Sequence, residues 1–227
     1  MSTSREKIVI TGSSKGLGFE LANRLSDAGH TVVGCGRTKM TQPVMDYSPV
    51  DLSDEGQVSQ WAKGVCARHQ NIDILINNAF QFGERMRFEN LSDSQWHKVV
   101  DINLMGTFRV TRSFLPALKV GRNPLIVFVG SIMGKWARAG FSTYGVSKAA
   151  TETLANVLAQ ELAPDGIKVA TVYPSRIRTG LRIAGYGSNE SLSSEPLENY
   201  LSLMEHLIRS RDSFPTGSCW FPDDIGL

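Results

Sequence analysis

Five short apolar runs, rich in β-branched residues, alternate along the chain with longer segments in which apolar residues recur at helical spacing. The runs are 7–11 (KIVIT), 31–35 (TVVGC), 72–77 (IDILIN), 125–131 (LIVFVGS) and 167–173 (IKVATVY). Nearly continuous apolar strands are typical of a parallel sheet that helices cover on both faces. The pattern therefore predicts one α/β domain over 1–227, a doubly wound parallel sheet in three layers.

Two connections depart from regular alternation. Between Arg37 and Asp51 there is little room for a crossover helix, and prolines interrupt the segment. We expect a short strand near 45–49, reached by a loop or a single helical turn. The polar, Gly/Ser-rich segment 180–196 is expected to be a long loop, and such loops often act as lids. A substrate loop is therefore predicted around 176–196.

The segment TGSSKGLG at 11–18 follows the first strand and begins a helical pattern. In that context Gly12 permits a sharp turn, Gly16 allows backbone to approach a pyrophosphate, and Gly18 lets helix and strand pack closely. The helix N-terminus then offers unpaired N–H groups to phosphate. An ordinary strand–helix turn is the alternative, but the surrounding parallel sheet favours dinucleotide binding in a Rossmann-type fold.

Tyr144 and Lys148, in the segment TYGVSKAA, are four residues apart and share one face of a predicted helix. A free tyrosine has a pKa of about 10, and a nearby ammonium lowers it by stabilising the phenolate. Such a tyrosine can give a proton to a carbonyl oxygen or take one from an alcohol. The pair also occurs by chance, so it gains weight from Ser131, which ends the predicted strand 125–131 at the ligand-binding edge.

The G-x-x-x-G-x-G spacing, with Asn103, Ser131, Tyr144 and Lys148 in that order, resembles the short-chain dehydrogenase/reductase family in its common single-domain form. The resemblance implies hydride transfer between a nicotinamide cofactor and a ketone, aldehyde or alcohol. Tyr144 would be the general acid/base, Ser131 would orient the substrate oxygen, and Asn103 would hold a water beside the lysine. The cofactor-binding residues so implied are Gly12, Ser14, Lys15, Gly16, Leu17, Gly18, Arg37, Thr38, Asp51, Leu52, Asn78, Ala79, Tyr144, Lys148, Pro174, Ile177 and Thr179.

Other segments match the family with two departures. NNAF (77–80) resembles N-N-A-G, with Phe80 in place of glycine, and YPSRIRTG (173–180) resembles P-G-x-x-x-T, with Ser175 in place of glycine. PTGSCWF (215–221) resembles the last strand. The candidate substrate pocket consists of residues that follow these strands: Phe80, Gln81, Phe82, Ile132, Met133, Trp136, Phe141 and the segment 176–190, with Arg138 and Arg176 as either anion contacts or solvated surface cations.

The residues after the second strand favour NADP over NAD. An acidic residue there would bind the ribose hydroxyls of NAD, but this strand ends in Gly36, Arg37 and Thr38. A guanidinium can pair with a 2′-phosphate instead, and Lys15 adds a second positive charge. Both could also be ordinary surface cations. Asp51 matches a family position at the adenine edge.

Composition narrows the remaining classes of function. The formal net charge is +2, so no nucleic-acid partner is expected. No stretch approaches the roughly 20 apolar residues of a membrane span. Three widely spaced cysteines favour neither a disulfide framework nor a metal site, which suggests a reducing, cytoplasmic compartment. The resemblance further implies a homodimer or homotetramer that packs through the helix over 150–163 and acts on a small carbonyl or alcohol.

Two other functions are compatible with such a fold. A dinucleotide-binding sensor without turnover would not need Tyr144 or Lys148, and both are present. Epimerase- or dehydratase-like relatives resemble larger chains with a bigger substrate domain, whereas the region 180–214 is short here. The sequence therefore favours an oxidoreductase.

Overall fold

One parallel sheet forms the centre of the molecule. The computed structural model describes residues 5–41, 43, 45–175, 177 and 195–226. Its strands are β1 Lys7–Thr11, β2 Thr31–Gly36, β3 Asp46–Pro49, β4 Ile74–Asn77, β5 Leu125–Val129, β6 Lys168–Val172 and β7 Ser218–Trp220. The order β3-β2-β1-β4-β5-β6-β7, with every neighbouring pair parallel, confirms the predicted doubly wound sheet.

Helices connect these strands. They are α1 Gly16–Asp27, α2 Glu55–His69, α3 Asp93–Val100, α4 Thr107–Leu118, α5 Ile132–Lys135, α6 Ser142–Glu161 and α7 Leu197–Arg209. A π-helical turn, Asp101–Gly106, joins α3 to α4, and short 3-10 turns span Phe88–Asn90, Ala163–Asp165 and Pro222–Ile225. Among the described helices, none has both the length and the apolar character of a membrane span.

The two faces of the sheet pack separate cores, because successive strand residues point to opposite sides. Ile8 and Ile10 belong to one buried cluster with Leu207 of α7. Val9, between them, belongs to the other, with Phe114 of α4. Burial of one such side chain contributes about 1.5–3 kcal/mol. Helices therefore cover both faces, as the apolar strand pattern predicts for three layers.

The connection after β2 follows the sequence-based expectation, and α3 begins at a capping motif. β3 begins at Asp46, and the described residues between Gly36 and that strand contain no helix. Ser92 caps α3, since its hydroxyl accepts a hydrogen bond from the N–H of Gln95 while the Gln95 side chain accepts one from the N–H of Ser92. Both features rest on local signals, proline and a capping box, which sequence shows directly.

Two elements differ from expectation. β5 ends at Val129, so Ser131 lies beyond the strand and caps α5; the predicted strand 125–131 was too long. The Ser131 side chain there accepts a hydrogen bond from Met133 N–H, which begins a helical turn instead of extending the strand. The helix α7, Leu197–Arg209, was not predicted, although its apolar residues follow helical spacing.

Candidate active site

The candidate residues follow the carboxyl ends of different strands and therefore meet at one edge of the sheet. The glycine loop follows β1, Arg37 follows β2, and Asn78 follows β4. Ser131 comes shortly after β5, and Pro174 comes after β6. In open α/β sheets this is the edge where ligands bind.

The three glycines of the loop have different surroundings. A Cβ on Gly12, whose φ is +71°, would lie 2.7 Å from the Cα of Ala79. A Cβ on Gly18 would lie 2.3 Å from Asn78 Nδ2, so the loop packs directly against the residues after β4. Gly16, with φ of +62°, faces open space. This open backbone at the start of α1 fits a bound pyrophosphate.

Residues 78 and 79 are held in place by Thr11. Its hydroxyl accepts hydrogen bonds from the backbone N–H groups of Asn78 (3.1 Å) and Ala79 (3.0 Å). In return, Asn78 Nδ2 donates to the carbonyl of Thr11 at 2.8 Å. The end of β4 is therefore fixed to the start of the glycine loop.

The end of β2 presents cations rather than a carboxylate. A Cβ on Gly36 would lie 2.9 Å from Ser14 Oγ and 3.0 Å from the Tyr47 hydroxyl, so no larger residue fits without movement. Arg37 is therefore the first side chain beyond the strand, and both Arg37 and Lys15 are exposed. Within the described part of the chain neither is in an ion pair, which leaves both available to an anion.

Tyr47 on β3 is a residue of this region that sequence reasoning missed. Its hydroxyl lies 2.6 Å from the carbonyl oxygen of Thr38 and 3.0 Å from that of Gly36. The hydroxyl thus holds the backbone on either side of Arg37. Its only signal in the sequence was its place in the short strand predicted near 45–49.

Asp51 and Leu52 follow β3 at the same edge. Asp51 is half-buried, and its Oδ1 accepts hydrogen bonds from the N–H (2.9 Å) and hydroxyl (2.7 Å) of Ser53. Leu52 is buried, and a Cβ on Gly106 would lie 2.8 Å from its Cβ. Both residues thus help to shape the edge, and their contacts with a cofactor stay a prediction.

Tyr144 and Lys148 lie near the start of α6 and are both buried. The Lys148 ammonium is 5.9 Å from the centre of the Tyr144 ring and donates a hydrogen bond to the carbonyl of Val129 at 2.7 Å. Burial lowers the pKa of Lys148 to about 7. Among the described residues this is the ammonium's one hydrogen bond, so two of its donors remain for ligand hydroxyls.

Ser131 comes close to this helix through α5. A Cβ on Gly134 would lie 2.9 Å from the backbone nitrogen of Ala149, so α5 packs closely against α6. Met133 also packs against the aromatic cluster that contains Tyr144. The half-buried Ser131 therefore begins the element that borders the proposed proton donor.

Asn103 lies in the π-helical turn and is buried. Its Oδ1 accepts a hydrogen bond from Gln81 N–H at 2.7 Å, and its Nδ2 donates to the carbonyl of Gln81 and to Ser147 Oγ, each at 2.9 Å. Ser147 in turn donates to the carbonyl of Tyr144 at 2.8 Å. Asn103 therefore joins the loop after β4 to α6. Sequence reasoning missed Ser147, and the water that Asn103 is expected to hold stays a prediction.

An aromatic cluster surrounds Tyr144. Phe82 stacks on the Tyr144 ring with centroids 4.3 Å apart, and Phe141 meets Phe82 edge-on at 5.4 Å. The guanidinium of Arg138 lies 5.8 Å from the Phe141 ring, while Trp136 is exposed. The cluster thus brings together four of the predicted pocket residues, Phe80, Phe82, Met133 and Phe141.

The segment after β6 is described only in part. Ser175, at the position where the family resemblance implies glycine, has a φ of +63° and donates a hydrogen bond to Glu195 at 2.5 Å. This left-handed backbone costs a non-glycine residue about 1 kcal/mol or more. Ile177 is buried and pairs with Glu195. Thr179, Arg176 and most of the predicted loop 176–196 lie outside the described residues.

Other chemistries have little support in the described ranges. No group of three or more His, Cys, Asp or Glu side chains there could hold a metal ion. The cysteines Cys35, Cys66 and Cys219 are free thiols. Burial raises the pKa of Cys35 to about 12, so that thiol is a poor nucleophile.

Comparison with known proteins identifies the family. A family model for short chain dehydrogenase matches residues 6–186. The chain is 31% identical to the NADPH-dependent pterin aldehyde reductase of Arabidopsis thaliana, over 83% of this chain and 82% of that protein. It is 31% identical to a 3-oxoacyl-(acyl-carrier-protein) reductase of Buchnera aphidicola, over 80% of this chain and 77% of that protein.

Solved structures agree with these relatives. A short chain dehydrogenase from Pseudomonas syringae superposes with a TM-score of 0.88 and 28% identity, covering 96% of this chain and 94% of that one. Another from Shigella flexneri, complexed with NADP, has a TM-score of 0.86 and 25% identity, covering 96% and 97%. The resemblance carried by the glycine loop and the tyrosine–lysine pair is confirmed. The chain belongs to the short-chain dehydrogenase/reductase family of NAD(P)-dependent oxidoreductases.

Proposed function

We propose that this protein is an NADP-dependent reductase that interconverts a small ketone or aldehyde with its alcohol. The observation that carries the proposal is the buried Lys148 ammonium beside Tyr144. Among the described residues it donates one hydrogen bond, which leaves two N–H donors for a ligand. It lies at the same edge of the sheet as the open glycine loop. Relatives described as an NADPH-dependent aldehyde reductase and as an NADP complex support the same cofactor.

The site residues divide into groups that fit different parts of NADP. The glycine loop, with Ser14 and Leu17, and the start of α1 fit the pyrophosphate. Arg37 and Lys15 fit the 2′-phosphate, with Thr38 beside them, and Asp51 and Leu52 would border the adenine. Lys148 would donate to ribose hydroxyls, and Asn78, Ala79, Pro174, Ile177 and Thr179 would complete the nicotinamide end. When bound, the cofactor supplies or accepts the hydride.

The protein's own contribution is the proton. In reduction, the Tyr144 hydroxyl donates its proton to the carbonyl oxygen, and in oxidation the phenolate takes it back. A charged Lys148 favours the phenolate that remains, because an opposite charge nearby stabilises it. The Ser131 hydroxyl would donate a hydrogen bond to the same substrate oxygen and so orient the carbonyl.

A panel of carbonyl compounds tests the proposal. The purified chain is mixed with NADPH and, separately, with aromatic aldehydes, aliphatic aldehydes, ketones and 3-oxoacyl thioesters, with NADH as the control. We expect loss of NADPH absorbance with at least one class, and slower loss with NADH. Tight NADPH binding without turnover of any compound would contradict the proposal and favour the dinucleotide-binding sensor.

We also propose a homodimer or homotetramer in the reducing cytoplasm. Apolar side chains are exposed on α4 and α6, at Phe108 (38%), Val146 (50%) and Val157 (42%), where a partner subunit would cover them. Light scattering of the eluted protein should give a multiple of 24.9 kDa. A monomer at micromolar concentration would contradict the oligomer.

A further inference from the structure

Phe80 lies where the family resemblance implies glycine, and its ring faces the proposed catalytic lysine. The Lys148 Nζ is 4.2 Å from the centre of the Phe80 ring. The same ring is 5.9 Å from that of Tyr144, at an angle of 43°. Phe80 is half-buried, and its ring covers one side of the ammonium. A glycine here would leave that side open.

The backbone holds Phe80 in this place from both sides. The preceding residue, Ala79, donates its N–H to Thr11 Oγ1 at 3.0 Å. The following residue, Gln81, exchanges two hydrogen bonds with the Asn103 side chain, at 2.7 and 2.9 Å. The ring cannot leave Lys148 by loop movement without the loss of these hydrogen bonds.

Among the described residues, burial rather than a neighbouring charge accounts for the lowered pKa of Lys148. The elements packed against α6 are α3, the π-helical turn, α5, β5, β6 and the 3-10 turn Ala163–Asp165, and their titratable side chains are Asp93, His97, Lys98, Asp101, Lys135, Asp165 and Lys168. Burial is the one cause of the lowered pKa of Lys148. The ammonium is therefore faced by the Val129 carbonyl and by aromatic rings, and no carboxylate of the described residues forms an ion pair with it.

We propose that Phe80 is a positioning residue for Lys148. The Phe80 ring excludes water from the ammonium and interacts with its charge through the π-face. The two effects act in opposite directions. Exclusion of water disfavours the charged amine, whereas the electron-rich ring face favours it. The catalytic meaning of this contact rests on the proposed function, but the contact itself can be measured in the cofactor-free chain.

The test is an NMR titration of the full chain labelled with carbon-13 at lysine Cε. The Lys148 signal is identified by its loss in Lys148→Arg. Phe80→Leu keeps an apolar side chain but removes the π-face, so the titration midpoint should fall by about 0.5–1.5 pH units. Phe80→Gly removes the π-face as well, but the water that it admits outweighs this loss, so the midpoint should rise above that of the wild type. Phe80→Tyr keeps the ring and should match the wild type.

Opposite shifts in Phe80→Leu and Phe80→Gly support the proposal. If Phe80 had a merely structural role, both substitutions would loosen the site and hydrate the amine. Shifts of the midpoint in the same direction would therefore overturn the proposal. Equal midpoints in all variants would overturn it as well. If Phe80→Gly does not fold, the contrast between Phe80→Leu and Phe80→Tyr decides. The titration needs neither cofactor nor turnover. If the midpoints are equal in all variants while the protein still turns over NADPH, only the proposed role of Phe80 is rejected and the proposed function stands.

Discussion

Lys148 and Arg37 are both cations of the candidate site, but the fold gives them opposite surroundings. Lys148 is 5% exposed, and burial lowers its pKa to about 7. Arg37 is exposed directly after β2, and a guanidinium stays charged at every working pH. The buried cation can change its charge near neutrality, which suits proton transfer. The exposed cation is a permanent charge, which suits recognition of a phosphate.

The largest effect on turnover is expected for a substitution of Tyr144, which lies beside the buried Lys148. Tyr144→Phe keeps the ring that stacks on Phe82 but removes the hydroxyl that donates the proton. The value of kcat/KM for carbonyl reduction should therefore fall about 10²–10⁴-fold. NADPH affinity, measured by fluorescence titration, should stay nearly unchanged. Retained turnover would remove Tyr144 from the proposed mechanism.

The lowered pKa of Lys148 should also make the free energy of unfolding depend on pH. Between pH of about 7 and 10.5, the unfolded state keeps the Lys148 proton that the folded state has released. The free energy of unfolding of the wild type should therefore rise with pH relative to Lys148→Met, by at most about 1.4 kcal/mol per pH unit.

Urea denaturation at several pH values measures this difference. Lys39→Met, which removes an exposed positive charge, is the matched control and should run parallel to the wild type. A constant difference between wild type and Lys148→Met would show that the folded state keeps the Lys148 proton.

The exposed cation should control cofactor choice. Charge-assisted contacts contribute about 1.5–3 kcal/mol, so Arg37→Asp should lower the ratio of kcat/KM for NADPH over NADH by about 10–100-fold. Steady-state kinetics with both cofactors measures the ratio. An unchanged ratio would mean that Arg37 does not contact the 2′-phosphate.

The smallest effect is expected at Lys15. Its ammonium is exposed before α1, and an exposed ion pair contributes about 0.2–1 kcal/mol. Lys15→Ala should therefore raise the KM for NADPH only about two- to fivefold, and less at high salt because screening weakens the contact. An equal rise in the KM for NADH would assign Lys15 to a part of the cofactor that both share.

The parts of the site that depend on local sequence could be predicted. The glycine loop, the short β3 and the tyrosine–lysine pair each depend on a signal that lies within a few neighbouring residues. The overall fold followed for the same reason, because apolar strand runs report burial on both faces. Even the departures at Phe80 and Ser175 were visible as residues that do not match the family motifs.

The contacts that define the surroundings of Lys148 could not be predicted. Asn103 holds the backbone of Gln81 across 22 residues of sequence, and Thr11 fixes Ala79 across 68. Only folding shows that these contacts place the Phe80 ring against the ammonium. The end of β5 was missed because the Ser131 cap competes with strand extension, which an apolar run does not reveal.

The most direct test of the contrast between the two cations is one set of kinetics. The values of kcat/KM for NADPH and NADH are measured across pH for the wild type, Arg37→Asp and Lys148→Arg. Arg37→Asp should change the ratio of kcat/KM for NADPH over NADH at every pH. In this variant the reduction rate should still fall with rising pH, as in the wild type, because Lys148 loses its charge. Lys148→Arg should keep the ratio and lose that fall, because its guanidinium stays charged. Equal changes of the ratio in both variants, or the same pH dependence in all three proteins, would contradict the division of roles.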